Sequence, residues 1–279
     1  MFQREKNDRS NFDYLMEFQA HEKGFDYYSS QEIPDMVTQL SWVPTASRAL
    51  ITSSAKEVKL WSLKTRNIVK VQSAKQLCKR GHGLQIPKCA KQEGDTVANL
   101  YHTFKSEMMS GVHSLSVSTD KENFLSADEK SIHLWNLSEY KEVFNLINFA
   151  RPKGKSQPQD FISSAQFDQQ SNSCIFLYTT DAGAINICDL RHKSDFSQRS
   201  SLKLCQHSHH PDPVFAKHLS YISQASFLPK NQVMSRDYLS LKMWDLRTAK
   251  CLYSAPVFDT QPNLNKLHRE GALEDDFFL

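Results

Sequence analysis

The sequence predicts an all-β protein assembled from repeated antiparallel units, and three observations carry this. A nine-residue pattern recurs four times, an apolar residue stands eleven positions before the anchor of every copy, and an alternating segment lies upstream of each. The copies are Ala55-Lys-Glu-Val-Lys-Leu-Trp-Ser-Leu63, Glu129-Lys-Ser-Ile-His-Leu-Trp-Asn-Leu137, Ala182-Gly-Ala-Ile-Asn-Ile-Cys-Asp-Leu190 and Tyr238-Leu-Ser-Leu-Lys-Met-Trp-Asp-Leu246. Each alternates apolar and polar residues up to a Trp or Cys and closes on Leu. That period of two is the pattern of a strand with one buried face.

The elements follow in order. Leu50, Phe124, Leu177 and Val233 precede Trp61, Trp135, Cys188 and Trp244 by eleven residues, the spacing of two antiparallel strands joined by a tight turn. Ser53 to Lys56, Ala127 to Lys130, Thr180 to Gly183 and Arg236 to Tyr238 are mostly turn-forming types. Upstream, Val37 to Val43, Val112 to Val117, Ile162 to Phe167 and Ile222 to Phe227 alternate as a further strand, and weaker fourth strands are read at Glu142 to Ile147 and Cys251 to Ser254. Repeated four-stranded units of this kind describe the blades of a WD40-type β-propeller, incomplete at about four recognisable blades. The predicted units are 36–63, 112–137, 161–190 and 221–246 of a single domain over 1–279. Successive anchors lie 74, 53 and 56 residues apart, against roughly 40 to 45 in an ordinary WD repeat, so 64–110 is read as an insert. Each Trp is assigned to the packing between blades, and Leu60, Trp61, Leu134, Trp135, Ile187, Cys188, Met243 and Trp244 are expected to be largely buried.

Composition narrows the function. The 279 residues are 39% hydrophobic with 34 basic and 31 acidic side chains, so the near-neutral mixed surface gives no global reason to bind nucleic acid or an anionic membrane. No run of eighteen apolar residues is present, and Met1 to Asp8 is charged where a signal peptide needs an apolar stretch. The six cysteines have no repeating spacing and read as reduced thiols of a cytoplasmic protein, with the nucleus as a second compartment. There is no nucleophile elbow, Walker loop or His-Glu-x-x-His, so the chain is not expected to be an enzyme or to need a cofactor. Cys205-Gln-His207-Ser-His209-His210 lacks a second paired element at zinc spacing and is read as a loop, not a metal site.

Several stretches go beyond generic WD character: Phe18-Gln-Ala-His-Glu-Lys-Gly-Phe-Asp-Tyr27, Leu125-Ser-Ala-Asp-Glu129, Ile187-Cys-Asp-Leu-Arg191 and Ser235-Arg-Asp-Tyr-Leu-Ser-Leu-Lys-Met-Trp-Asp-Leu246. They resemble the WD-repeat B-type regulatory subunit of protein phosphatase 2A, from about Phe2 onward and more weakly over 64–110. The resemblance implies a seven-bladed propeller that docks on a scaffold subunit and presents phosphoprotein substrates to a separate catalytic subunit. Two departures stand out. About four blades are recognised here, and the family's acidic segment before the fourth unit is replaced by the basic and polar Arg151-Pro-Lys-Gly-Lys-Ser-Gln-Pro-Gln159.

Asp128 and Glu129 sit at a predicted turn, where two carboxylates can attract Lys/Arg-rich segments flanking a phosphosite. The resemblance implies that Glu129 lies on the substrate-facing side; the residues alone favour an ordinary solvated turn. Asp237 and Arg236 occupy the equivalent turn and are expected to brace it. In the insert, Lys75, Lys79, Arg80, Lys88 and Lys91 concentrate positive charge, and the resemblance implies a scaffold-binding arm; a solvated loop is the plain alternative. Few aromatics accompany these lysines, which disfavours RNA. Three functions stay open: a substrate-targeting phosphatase subunit, a diverged WD-repeat interaction scaffold outside the holoenzyme, and a small-molecule-binding or hydrolytic propeller. An arc of four blades is further expected to leave apolar end faces, and hence to self-associate or need a partner.

Overall fold

The computed structural model describes residues 2–4, 12–14, 16–26, 28, 30–33, 35–43, 48–55, 57–66, 68–76, 85–92, 96–105, 111–139, 142–149, 161–170, 174–191, 201–205 and 219–257. The chain forms two compact units, Met1–Glu107 and Met108–Leu279. In the first, β1 (Phe2–Arg4) pairs with β2 (Phe12–Tyr14) and β3 (Gly24–Asp26) with β4 (Gln31–Ile33). Blade 1 begins with β5 (Gln39–Val43), β6 (Ala49–Ser53) and β7 (Val58–Thr65). The chain then leaves the blade as a hairpin, β8 (Ile68–Gln76) and β9 (Gln85–Gln92), and returns as β10 (Thr96–Phe104), which pairs along β7 to complete a four-stranded sheet. The segment 64–110 is therefore not insert throughout. Its last third is the fourth strand of blade 1, and only the hairpin is extra.

The second unit holds three further blades, each a four-stranded antiparallel meander. Blade 2 is β11 (Ser114–Val117), β12 (Asn123–Ala127), β13 (Ser131–Asn136) and β14 (Val143–Asn148). Blade 3 is β15 (Ile162–Phe167), β16 (Ile175–Thr180), β17 (Ala184–Asp189) and β18 (Leu202–Cys205). Blade 4 is β19 (Ile222–Leu228), β20 (Gln232–Asp237), β21 (Ser240–Asp245) and β22 (Lys250–Pro256). All four recurring nine-residue patterns thus fall on the third strand of a blade.

Alternation decides which side chains meet. Leu50 lies opposite Trp61, Phe124 opposite Trp135 and Val233 opposite Trp244, as the eleven-residue spacing requires. In blade 3 the residue opposite Cys188 is Phe176, not Leu177, because the turn there holds one residue more. Leu177 instead points to the other face, toward blade 4. Phe176, Tyr178 and Cys188 of blade 3 pack on Leu125, Ala127, Ile132 and Ile147 of blade 2. Val233 and Trp244 of blade 4 pack in the same way on Leu177, Ile185, Ile187 and Leu204 of blade 3. Each fully buried apolar side chain of this kind contributes about 1.5–3 kcal/mol. Leu60, Trp61, Trp135, Ile187, Cys188 and Trp244 are buried as expected, while Leu134 and Met243 are only half-buried.

A buried indole needs an acceptor for its N–H. Trp61 donates to Thr52 Oγ1 at 3.0 Å, Trp135 to Ser126 Oγ at 2.8 Å and Trp244 to Ser235 Oγ at 2.8 Å, always nine residues earlier and one strand away. In blade 1, His21 Nε2 extends the chain to Thr52 Oγ1 at 3.1 Å, and the Phe18 ring lies 4.9 Å from that of Trp61. Blades 2 and 3 are also joined through hydroxyls. Ser114 Oγ donates to the Ala165 carbonyl at 2.9 Å, and Ser116 Oγ accepts the Phe167 N–H at 3.0 Å.

Candidate functional site

The turns between second and third strands of blades 2, 3 and 4 carry an aspartate seven residues before the anchor: Asp128, Asp181 and Asp237. In blades 2 and 4 that aspartate folds back on its own turn. Asp128 Oδ1 accepts the N–H groups of Lys130 (2.8 Å) and Ser131, and Oδ2 accepts the Ser131 hydroxyl (2.9 Å). Asp237 does the same with the N–H groups of Leu239 (3.0 Å) and Ser240 and with the Ser240 hydroxyl, and also pairs with Lys242 Nζ at 2.7 Å. Asp128 is 2% exposed. Its carboxylate is committed to the turn and does not face solvent, which corrects its placement on the substrate-binding face. The bracing expected of Asp237 is the role that both aspartates fill.

Glu129, the next residue, is exposed. Its carbonyl accepts the Ile162 N–H at 2.8 Å and so ties the blade 2 turn to the first strand of blade 3. Blade 3 then departs from the pattern. Ala184 stands where blades 2 and 4 have Ser131 and Ser240, and the turn is one residue longer. Asp181 Oδ1 accepts the N–H of Phe161 at 2.9 Å, while its own N–H donates to the Phe161 carbonyl at 2.9 Å. Phe161 is left exposed beside the turn.

The lead-in to blade 4 completes the cluster. Gly183 has φ +79°, and a β-carbon on it would stand 2.6 Å from the Ser220 carbonyl oxygen, so glycine alone admits this approach. The approach carries Tyr221, 41% exposed, next to the two acidic turns. Burial, and then the negative charges of Asp181 and Glu129, push its hydroxyl above the usual tyrosine range. Tyr221 therefore stays a neutral donor at physiological pH. Glu129 and Asp181 thus place negative charge near Tyr221, with the Phe161 backbone bonded to Asp181. Carboxylate charge exposed on a turn can attract a Lys or Arg side chain.

The sequence singled out Glu129 but missed Asp181, Phe161 and Tyr221. The signal for Asp181 was present, since it shares the position of Asp128 but lacks the serine three residues on. Of the basic residues in the arm, Lys75 lies on β8 opposite Ile86, while Lys88 and Lys91 lie on β9 opposite Ser73 and Val69. Lys79 and Arg80 lie outside the described residues, as do Arg151 to Gln159 and His207, His209 and His210. Among the described residues, no group of three or more metal-ligating side chains is close enough to hold an ion, and no helix is long and apolar enough to cross a membrane.

No protein-family profile matches the chain. It is 28% identical over 282 residues to the regulatory B subunit of protein phosphatase PP2A from Schizosaccharomyces pombe, covering 95% of this chain and 60% of that protein. It is 29% identical over 264 residues to the serine/threonine-protein phosphatase 2A regulatory subunit sur-6 of Caenorhabditis elegans, covering 90% of this chain and 51% of that protein. The chain thus spans between half and two thirds of the length of these curated relatives. Among solved structures, the WD40 repeats of RRP9 align with a TM-score of 0.49 at 13% identity, covering 78% of this chain and 50% of that one. Over nearly all of its length, the chain is thus similar to two regulatory subunits of protein phosphatase 2A.

Proposed function

We propose that this chain is a non-catalytic regulatory subunit that brings basic phosphoprotein segments to a Ser/Thr phosphatase of the 2A type in the cytoplasm. The observation that carries the reading is the similarity to two phosphatase 2A regulatory subunits along 95% and 90% of the chain. The exposed Glu129 beside Asp181 and Tyr221 supplies the matching chemistry. In this reading, carboxylate charge steers a Lys/Arg-rich segment onto the turns of blades 2 and 3, and the phosphate is cleaved by the partner catalytic subunit. The β8–β9 hairpin, with Lys75, Lys88 and Lys91 on its strands and Lys79 and Arg80 between them, reaches the scaffold subunit. It pairs only with itself among the described strands, so its loss leaves each four-stranded sheet intact.

The test is purification of the tagged full chain from cells, with and without residues 75–91. The expected result is recovery of phosphatase scaffold and catalytic subunits with the intact chain, and their loss on deletion without a change in melting temperature. Recovery of other proteins alone would make the chain an interaction scaffold outside the holoenzyme. Turnover of a substrate by the isolated chain would overturn the non-catalytic reading.

A further inference from the structure

One segment of the first unit packs on blade 1 without joining its sheet. Residues 16–21 lie in no strand, yet Met16 and His21 are buried. Side chains make the hold: the Phe18 ring lies on Trp61, the Lys59 ammonium donates to the Ala20 carbonyl at 3.4 Å, and His21 Nε2 meets Thr52 Oγ1 at 3.1 Å. Thr52 is the hub. The Trp61 indole can only donate, so Thr52 Oγ1 accepts from it and keeps its own hydrogen for one acceptor. A bare His21 Nε2 is that acceptor, which places the ring proton on Nδ1. A charged imidazolium carries hydrogen on both nitrogens. Its Nε2–H must donate to Thr52 Oγ1, and the Thr52 hydroxyl, 1% exposed, then loses its acceptor.

Charge opposes the second proton as well. His21 Nδ1 lies 3.7 Å from Glu57 Oε1, too far for a hydrogen bond, and finds no other partner among the described residues. The same Glu57 oxygen takes the Lys59 ammonium at 2.7 Å, and Oε2 takes that of Lys105 at 3.5 Å, so this carboxylate is already matched by two cations. Asp35, in the lead-in to β5, favours the proton. Glu22 and Lys23 follow the ring in sequence, both exposed, and Lys23 pairs with Glu32 at 3.2 Å. Burial, and then the Lys59 ammonium, hold the imidazole below the usual histidine range. We infer that His21 is a proton-operated latch: its neutral ring fastens residues 16–21 to blade 1, and protonation releases them. The released ring takes up its proton in the ordinary range and the held ring only at lower pH. The hold is therefore complete above the ordinary range and weakens as pH falls through it. Release takes the Phe18 ring off Trp61. This inference does not depend on the phosphatase reading.

Solvent exchange of the buried indole N–H groups, followed by NMR on the full chain, tests it. Trp244 donates to Ser235 Oγ with no histidine in the chain of bonds, so the ratio of Trp61 to Trp244 exchange cancels the intrinsic pH dependence. From about pH 8 to about pH 5 that ratio is expected to rise at least about threefold in the wild type. His21→Gln keeps an acceptor for Thr52 and cannot titrate, so its ratio is expected to stay flat. Lys59→Met frees Glu57 for the ring and is expected to blunt the rise, although it removes a bond to the segment. A flat wild-type ratio would overturn the latch, as would a rise that survives His21→Gln. If His21→Gln does not fold, an undiminished rise in Lys59→Met overturns it alone.

Discussion

Blades 2 and 3 build the same four-stranded sheet from opposite choices at two core positions. Blade 2 places the large Trp135 on its third strand and the small Ser126 on its second, joined by a 2.8 Å hydrogen bond. Blade 3 reverses the sizes, with Cys188 where the indole stands and Tyr178 where the serine stands, and both are buried. The volume is exchanged across the strand pair, so the interior stays filled without the indole and its acceptor. The turn above changes with it. Blade 2 uses Asp128 to close its own turn, while blade 3, with an extra residue and Ala184 at the serine position, directs Asp181 Oδ1 to the Phe161 N–H. What defines the repeat is a filled volume and a closed turn, and in blade 3 the carboxylate bonds to the Phe161 N–H.

The sharpest way to break this comparison is to mix the two solutions. Trp135→Ala in blade 2 removes a 2%-exposed indole and orphans Ser126, with an expected loss of about 3–5 kcal/mol in chemical denaturation. Cys188→Trp alone overfills blade 3 against Tyr178, at about 1–3 kcal/mol. The double variant Tyr178→Ser/Cys188→Trp recreates the blade 2 pair and is expected to recover most of that loss. If the double variant is no better than the single, the two positions do not exchange volume.

Smaller effects separate the turns. Asp128→Ala leaves the Lys130 and Ser131 N–H groups and the Ser131 hydroxyl without their acceptor and is expected to cost about 2 kcal/mol. Asp181→Ala removes the acceptor of the Phe161 N–H and is expected to cost about half as much. Equal losses would show that the two aspartates do the same work. Gly183→Ala forces a β-carbon onto the Ser220 carbonyl at a positive φ and is expected to cost about 1–3 kcal/mol while displacing Tyr221. A change in Tyr221 fluorescence or in its NMR ring signals reports that displacement. The smallest effect is chemical. Burial raises the Cys188 thiol to about 12, so at pH 8 it is expected to resist thiol reagents in the native protein while the exposed Cys205 reacts.

Most of the fold was legible because period-two alternation and a recurrent anchor are local properties. The third strands of all four blades follow from them directly. The blade 3 register was off by one, since the spacing rule assumed equal turns and the extra residue sits among Thr180 to Ala184, where composition is no guide to count. The fourth strand of blade 1 was hidden in 64–110 because Thr96–Phe104 carries no anchor of its own, and a hairpin separates it from its partner strand. Asp128 and Glu129 looked alike in sequence, as adjacent carboxylates at a turn. Only the positions of the Lys130 and Ser131 N–H groups show that one is committed and the other is not. Phe161 and Tyr221 reach the site through first-strand lead-ins, which a repeat read from third strands does not examine.

The proposed recruitment of a basic segment by Glu129 and Asp181 is open to direct measurement. Fluorescence anisotropy of a labelled Lys/Arg-rich phosphopeptide with the purified chain tests it, comparing wild type, Glu129→Lys and Asp128→Asn. Glu129→Lys is expected to weaken binding at least tenfold, about 1.4 kcal/mol, with folding stability changed by no more than about 0.5 kcal/mol. Asp128→Asn is expected to leave binding nearly unchanged, because its carboxylate is turned into the blade. Equal affinity of wild type and Glu129→Lys, or a larger loss from Asp128→Asn, would contradict recruitment at this site.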